Sequence, residues 1–159
     1  PEMLPNIEKI ANEAGVPFEA VELEGMVEAD VVISITSTFA PTIMAGHIAP
    51  GTHIACMGTD TKGKQELETA LLAKSTVFTD EVAQSISIGE AQHAIASGLI
   101  KESDVNELGA VINGTHPGRT SDDEITLFDG TGVGLQDLAV AASVVDLAVE
   151  KGVATEVAF

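Results

Sequence analysis

Asp60 stands where a carboxylate can do chemistry. It follows an apolar, β-branched run and a glycine (Gly58-Thr59-Asp60), and Lys62 and Lys64 come just after it. A carboxylate at the edge of a sheet can hold or return a proton and can stabilise positive charge as it develops. The same aspartate also suits an Asx turn, or the N-cap of a helix that starts after Lys64. Two further segments occupy matching positions. Thr36-Ser37-Thr38 follows one predicted strand, and Gly130-Thr131-Gly132 follows another. Taken singly, each is ordinary loop composition. Their shared place at the carboxyl ends of strands, where open α/β sheets bind ligands, sets them apart. Small residues there let a ligand approach the backbone, and the hydroxyls and the carboxylate can face it.

Other patterns are weaker. Asp129-Gly-Thr-Gly-Val-Gly134 is a strand end, a glycine-rich turn and a helix start, as in the phosphate-binding pattern G-x-G-x-x-G. Gly130 and Gly132 fit, but Leu135 stands where a third glycine or alanine belongs. No second βα unit with an acidic residue follows. The segment is rejected as a pyrophosphate loop and kept as a helix start that can face a ligand. His47, His53, His93 and His116 are scattered, with no CxxC or HExxH spacing, so no metal site is expected. Cys56 is the single cysteine. It allows no internal disulfide and fits a reducing cytoplasm.

The elements that must position these residues alternate between short β-branched runs and helix-like stretches. That pattern predicts an α/β domain with a parallel sheet. Residues 2–14 are predicted helical, stopped by Gly15 and Pro17. Strands are predicted over 18–21, 30–36, 52–57, 76–79 and 124–129. Helices are predicted over 66–73, 80–97 and 103–113, with breaks at Gly89 and Gly98, and a last helix over 132–151. In that last helix Leu135, Leu138, Ala142, Val145 and Val149 step by three and four along one face, and Val140, Val144 and Leu147 are apolar on others. So narrow a polar stripe predicts cover from another domain or subunit.

The chain has 159 residues, the size of one domain. Twenty-five acidic residues against seven basic ones give a net charge of −18. Such a surface repels phosphate backbones and anionic lipids, so neither nucleic acid nor a membrane surface is expected as a partner. No apolar run is long enough to span a membrane. No basic segment followed by an apolar one opens the chain. Adaptation to salty surroundings and ordinary acidic solubility both fit the charge.

Four segments together resemble the ornithine cyclodeaminase/μ-crystallin family: DVVISITSTFAP (30–41), PGTHIACMGTDTKGKQELE (50–68), VFTDEVAQSISIGE (77–90) and GRTSDDEITLFDGTGVGLQDLAVA (118–141). The likeness covers roughly residues 17–152. It implies a Rossmann domain with a parallel sheet and helices on both faces, here without its first βα unit. Residues 1–129 would form this partial NAD(P)-binding domain. Residues 130–159 would be a helix returning toward a dimerisation and substrate domain encoded upstream of Pro1. The implied activity is NAD- or NADP-dependent hydride transfer at the amine- or imine-bearing carbon of a small amino or imino acid. Ornithine cyclodeaminase, amino-acid dehydrogenase and iminosuccinate or ketimine reductase are the versions open, beside a non-catalytic ligand-binding role of the μ-crystallin kind. The resemblance places Asp60 as the catalytic aspartate and Thr36, Ser37 and Lys64 at the dinucleotide. It places Gly130 beside the nicotinamide, where relatives often carry serine, and Thr131 at the substrate. Glu90 and Arg119 lie in recurrent motifs and read as structural braces. The whole protein is expected to be a cytoplasmic homodimer, and this chain alone is expected to be inactive.

Overall fold

The computed structural model describes residues 3–157. Its centre is a five-stranded, all-parallel sheet in the order Val31–Ser34, His53–Cys56, Ile125–Asp129, Ser75–Thr79, Val105–Glu107. The strands are β1 (Val31–Ser34), β3 (His53–Cys56), β5 (Ser75–Thr79), β6 (Val105–Glu107) and β7 (Ile125–Asp129). A second, two-stranded parallel sheet joins β2 (Phe39–Ile43) to β4 (Gln65–Leu67). Helices α1 (Leu4–Ala14), α2 (Thr69–Leu72), α3 (Val82–Ser85), α4 (Ala91–Ala96), α5 (Leu108–Ile112) and α6 (Gly134–Glu150) complete the chain, with short 3₁₀ turns between them. The core is built on Ile54, Leu67, Leu71, Leu72, Val77 and Leu127, each at most 1 % exposed. Burying such a side chain stabilises the fold by roughly 1.5–3 kcal/mol each.

The expected α/β architecture is present, and the strands predicted over 30–36, 52–57, 76–79 and 124–129 all form. The helix predicted over 2–14 is α1, which ends at Gly15 in the left-handed conformation that glycine adopts freely (φ 69°). Its predicted first residue, Glu2, lies outside the described residues. Three expectations are corrected. Residues 18–21 form no strand: they are exposed and pair with no sheet. The stretch 66–73 is not one helix but β4 followed by α2. The backbone N–H of Gln65 goes to Thr38 O and that of Glu68 to Ile43 O, which are partners from β2 and its approach rather than from a helical turn. Residues 103–113 contain β6 before α5, and Val105 pairs with Val77. Strands of three residues carry too little periodicity to be read locally.

Candidate active site

Because β1, β3 and β7 are neighbours and parallel, their carboxyl ends lie on one edge. Register sets them level: Ser34 pairs with Cys56, Cys56 with Asp129, and Asp129 with Thr79. The loops that carry Thr36, Asp60 and Thr131 leave the sheet directly after this row. Gly58 makes their approach possible. A Cβ there would lie 2.6 Å from Thr36 N and 2.9 Å from Glu66 Cδ, and would overlap the Thr36 carbonyl. Only glycine lets the two backbones meet.

Three buried carboxylates hold this edge together. Glu66 Oε1 accepts from Ser34 Oγ (2.5 Å), Thr36 N (2.6 Å) and Thr36 Oγ1 (2.7 Å), and Glu66 Oε2 accepts from Gly58 N (3.0 Å). Glu90 accepts from Thr59 Oγ1 (2.5 Å), from Leu67 N (2.7 Å) and from Glu66 N (3.1 Å to each oxygen). Asp129 Oδ2 accepts from Ser85 Oγ (2.5 Å) and Glu90 N (2.8 Å), while its Oδ1 is buried with no partner. Burial raises the pKa of Glu90, and the hydrogen bonds it accepts only partly oppose this. Burial, with the nearby Glu90 charge, pushes Asp129 up to about 7. Burial also raises the Cys56 thiol, reinforced by Glu90, Glu66 and Asp129.

Asp60 is outside this buried set. Its side chain is 59 % exposed and takes a 2.7 Å ion pair from Lys64 Nζ, whose own side chain is 17 % exposed. The hydrogen bond from Lys64, with one from Thr61 Oγ1, lowers its pKa. Lys64 Nζ also donates to Gly58 O at 3.3 Å. Thr131 is 8 % exposed, and its N–H (3.1 Å) and hydroxyl (2.7 Å) both go to Asp80 Oδ1. Asp80 Oδ2 takes Gly132 N at 2.8 Å. Partial burial pushes the Asp80 carboxyl up, but the hydrogen bonds from Thr131 and Gly132 outweigh it and its pKa is lowered. Gly130 is buried and donates its N–H to Cys56 O at 2.9 Å. A Cβ on it would meet the Met57 thioether at 2.7 Å. Ser37 is exposed at the same edge.

The structure therefore joins Asp60 to Lys64 and ties Thr36 to Gly58, but it commits the Thr36 and Thr131 hydroxyls internally. Sequence reading missed Glu66, Asp80 and Asp129 as site architecture. For Asp80 and Asp129 the available signal was an acid at or just beyond the end of a strand; Glu66, in the middle of β4, carried none. Glu90 is a brace. So is Arg119, at the opposite end of β7, which donates to Glu124 O (2.5 Å) and Thr126 Oγ1 (3.0 Å). Among the described residues, no group of three or more His, Cys, Asp or Glu is placed to hold a metal ion.

The ornithine cyclodeaminase/mu-crystallin family model matches residues 5–152. The chain belongs to this family. Within it, the iminosuccinate reductase of Paracoccus denitrificans (strain Pd 1222) is 65 % identical over 158 residues, which is 99 % of this chain and 49 % of that protein. The crystal structure of the Paracoccus denitrificans iminosuccinate reductase in complex with NAD+ matches with a TM-score of 0.95 and 64 % identity, covering 100 % of this chain and 49 % of that one. The alanine dehydrogenase of Archaeoglobus fulgidus is 40 % identical over 131 residues, 82 % of this chain and 41 % of that protein. The chain thus spans about half the length, or less, of the curated family members it matches. The fold, with its parallel sheet and final helix α6, is shared with that solved family structure.

Proposed function

We propose that the protein containing this chain is an NAD-dependent reductase that delivers hydride to the imine carbon of a small imino acid, with iminosuccinate as the foremost substrate and aspartate as the product. The observation that carries this reading is 65 % identity across 99 % of the chain to an iminosuccinate reductase. In the broader class, hydride moves in either direction at an amine- or imine-bearing carbon, as the likeness to an alanine dehydrogenase supports.

The residues present suit a dinucleotide. At the carboxyl edge, Gly58 keeps side-chain bulk out of the junction between the loops after β1 and β3, and Ser37 is exposed beside it. Ile35 is 75 % and Met57 42 % exposed there, apolar surface suited to a flat ring. Thr36, Ser37, Lys64 and Gly130 are the cofactor contacts proposed, and Thr131 the substrate contact. The hydroxyl and N–H of Thr36 already serve Glu66 and those of Thr131 serve Asp80, so these two residues would act through shape and their remaining acceptor oxygens. Lys64 has three N–H donors and uses two, leaving one for the cofactor.

When bound, the nicotinamide supplies the hydride. Asp60 is proposed to stabilise the positive charge of a protonated imine and to accept a hydrogen bond from its N–H. Lys64 holds Asp60 in the ionised form that this role requires. Asp80 fixes Thr131 and Gly132, and Glu66 fixes Thr36, so both flanking loops are preorganised. Residues 1–129 are proposed as the nucleotide-binding unit. The exposed apolar side chains of α6, among them Leu135 (72 %) and Leu138 (65 %), support a return of residues 130–159 toward a substrate and dimerisation domain in a homodimer.

The test is an assay of the full-length protein with oxaloacetate plus ammonia, which equilibrate with iminosuccinate, using NADH and NADPH in turn. The expected result is aspartate formed in step with NADH oxidised. Conversion of ornithine to proline and ammonia with no net cofactor consumption would replace this reading with a cyclodeaminase.

A further inference from the structure

Thr59 lies between two differently used residues. Before it, Gly58 gives its N–H to Glu66 Oε2 at 3.0 Å. After it, Asp60 turns outward to Lys64. Thr59 itself is 0 % exposed and its hydroxyl donates to Glu90 Oε2 at 2.5 Å. Glu90 is 1 % exposed and is fixed from several sides, by Leu67 N, by Glu66 N and through its own N–H to Asp129. Among the described residues no cation pairs with it. A valine opposite an apolar residue would fill this space without taking a carboxylate out of water, a step that is unfavourable when no cation compensates. What the carboxylate adds is direction: a hydroxyl–carboxylate bond fixes one rotamer of Thr59, and with it the backbone path into Asp60.

We propose that Glu90 is a positioning residue for Asp60, acting through the Thr59 hydroxyl. The proposal rests on the reading of Asp60 as the charge-stabilising group given above. Thr59 is the residue on which the two roles can be separated, because Thr59→Val removes the hydroxyl at nearly constant shape while Thr59→Ser keeps it.

The experiment follows the Asp60 carboxyl by ¹³C NMR titration in the full-length protein without cofactor, with the signal assigned by its loss in Asp60→Asn. In Thr59→Val the Asp60 titration is expected to move up toward the ordinary carboxylate range as the Lys64 pair loosens. Thr59→Ser is expected to restore it. In the assay, Thr59→Val is expected to lower kcat ~10-fold or more with KM changed less than ~3-fold, because a small displacement of a reacting group costs rate before it costs binding. In an Asp60→Asn background the same substitution should cost nothing further. Glu90→Gln should repeat the pattern, and if it does not fold, Thr59→Val decides. An Asp60 titration unmoved by Thr59→Val would overturn the proposal, as would an equal loss of kcat in the Asp60→Asn background. If the wild-type protein reduces no imine, the functional reading falls while the NMR titration still decides the Thr59–Glu90 clamp.

Discussion

Asp129 gives the most direct prediction at the scale of single residues. Its pKa rises from an ordinary 3.8 to about 7 because the carboxyl is buried beside Glu90. The folded state therefore holds a proton that the unfolded chain releases between these values. This group's contribution to stability is full below about pH 4 and is lost as pH rises to about 7. Asp129→Asn cannot ionise, so its thermal midpoint relative to wild type should improve between about pH 4 and about pH 7 and level off above that. A constant difference across that range would show that Asp129 does not titrate there. For turnover, Asp60→Asn in the full-length protein should lower kcat by ~10²-fold or more, and an unchanged rate would remove Asp60 from the chemistry. Gly58→Ala should destabilise by about 1–3 kcal/mol in chemical denaturation, because the added methyl meets the Thr36 backbone and Glu66. Asp60 could be singled out in the sequence because a carboxylate after a strand and a glycine is a local pattern. Glu66 could not, since its donors come from residues 34, 36 and 58, none of them close to it in the chain.

Among the elements, β1, β3 and β7 were readable because each is a run of β-branched and apolar residues of a strand's length. β2 and β4 were not. Phe39–Ile43 contains a proline, and Gln65–Leu67 has three residues, so their pairing is a tertiary fact. Glu66 and Leu67 give their N–H groups to the Glu90 carboxylate, which replaces helical hydrogen bonding there. The last helix was readable in its extent but not in its surroundings. Its apolar side chains, including Leu138 (65 %), Val145 (60 %) and Val149 (64 %), are exposed. This 159-residue chain by itself should therefore bind a hydrophobic dye and self-associate. Leu138→Lys with Val145→Lys should reduce both while leaving the unfolding midpoint of the sheet nearly unchanged, and dye fluorescence with sedimentation would measure it.

For the whole molecule the governing number is the net charge of −18. The two ion pairs among the described residues are both within one local stretch, Lys9–Glu13 and Lys64–Asp60, so most acids face water without a cation. Raising KCl from ~0.05 to ~1 M shortens the screening length several-fold and should raise the thermal midpoint. A flat response would leave ordinary solubility as the meaning of the charge. Residue order alone carried the α/β class, the family and the three strand-end loops, because these depend on composition, short-range periodicity and ordered motifs. The folded chain alone reveals that Asp60 is paired and exposed, that the Thr36 and Thr131 hydroxyls are committed to Glu66 and Asp80, and that three buried carboxylates are linked through Glu66 N–H to Glu90 and Glu90 N–H to Asp129. The Asp60–Lys64 pair is local, four residues apart, but the other contacts depend on groups 30 to 51 residues apart meeting at the strand ends. Burial and hydrogen-bond partnership at such distances come from the packing of the whole chain and leave no local trace in residue order.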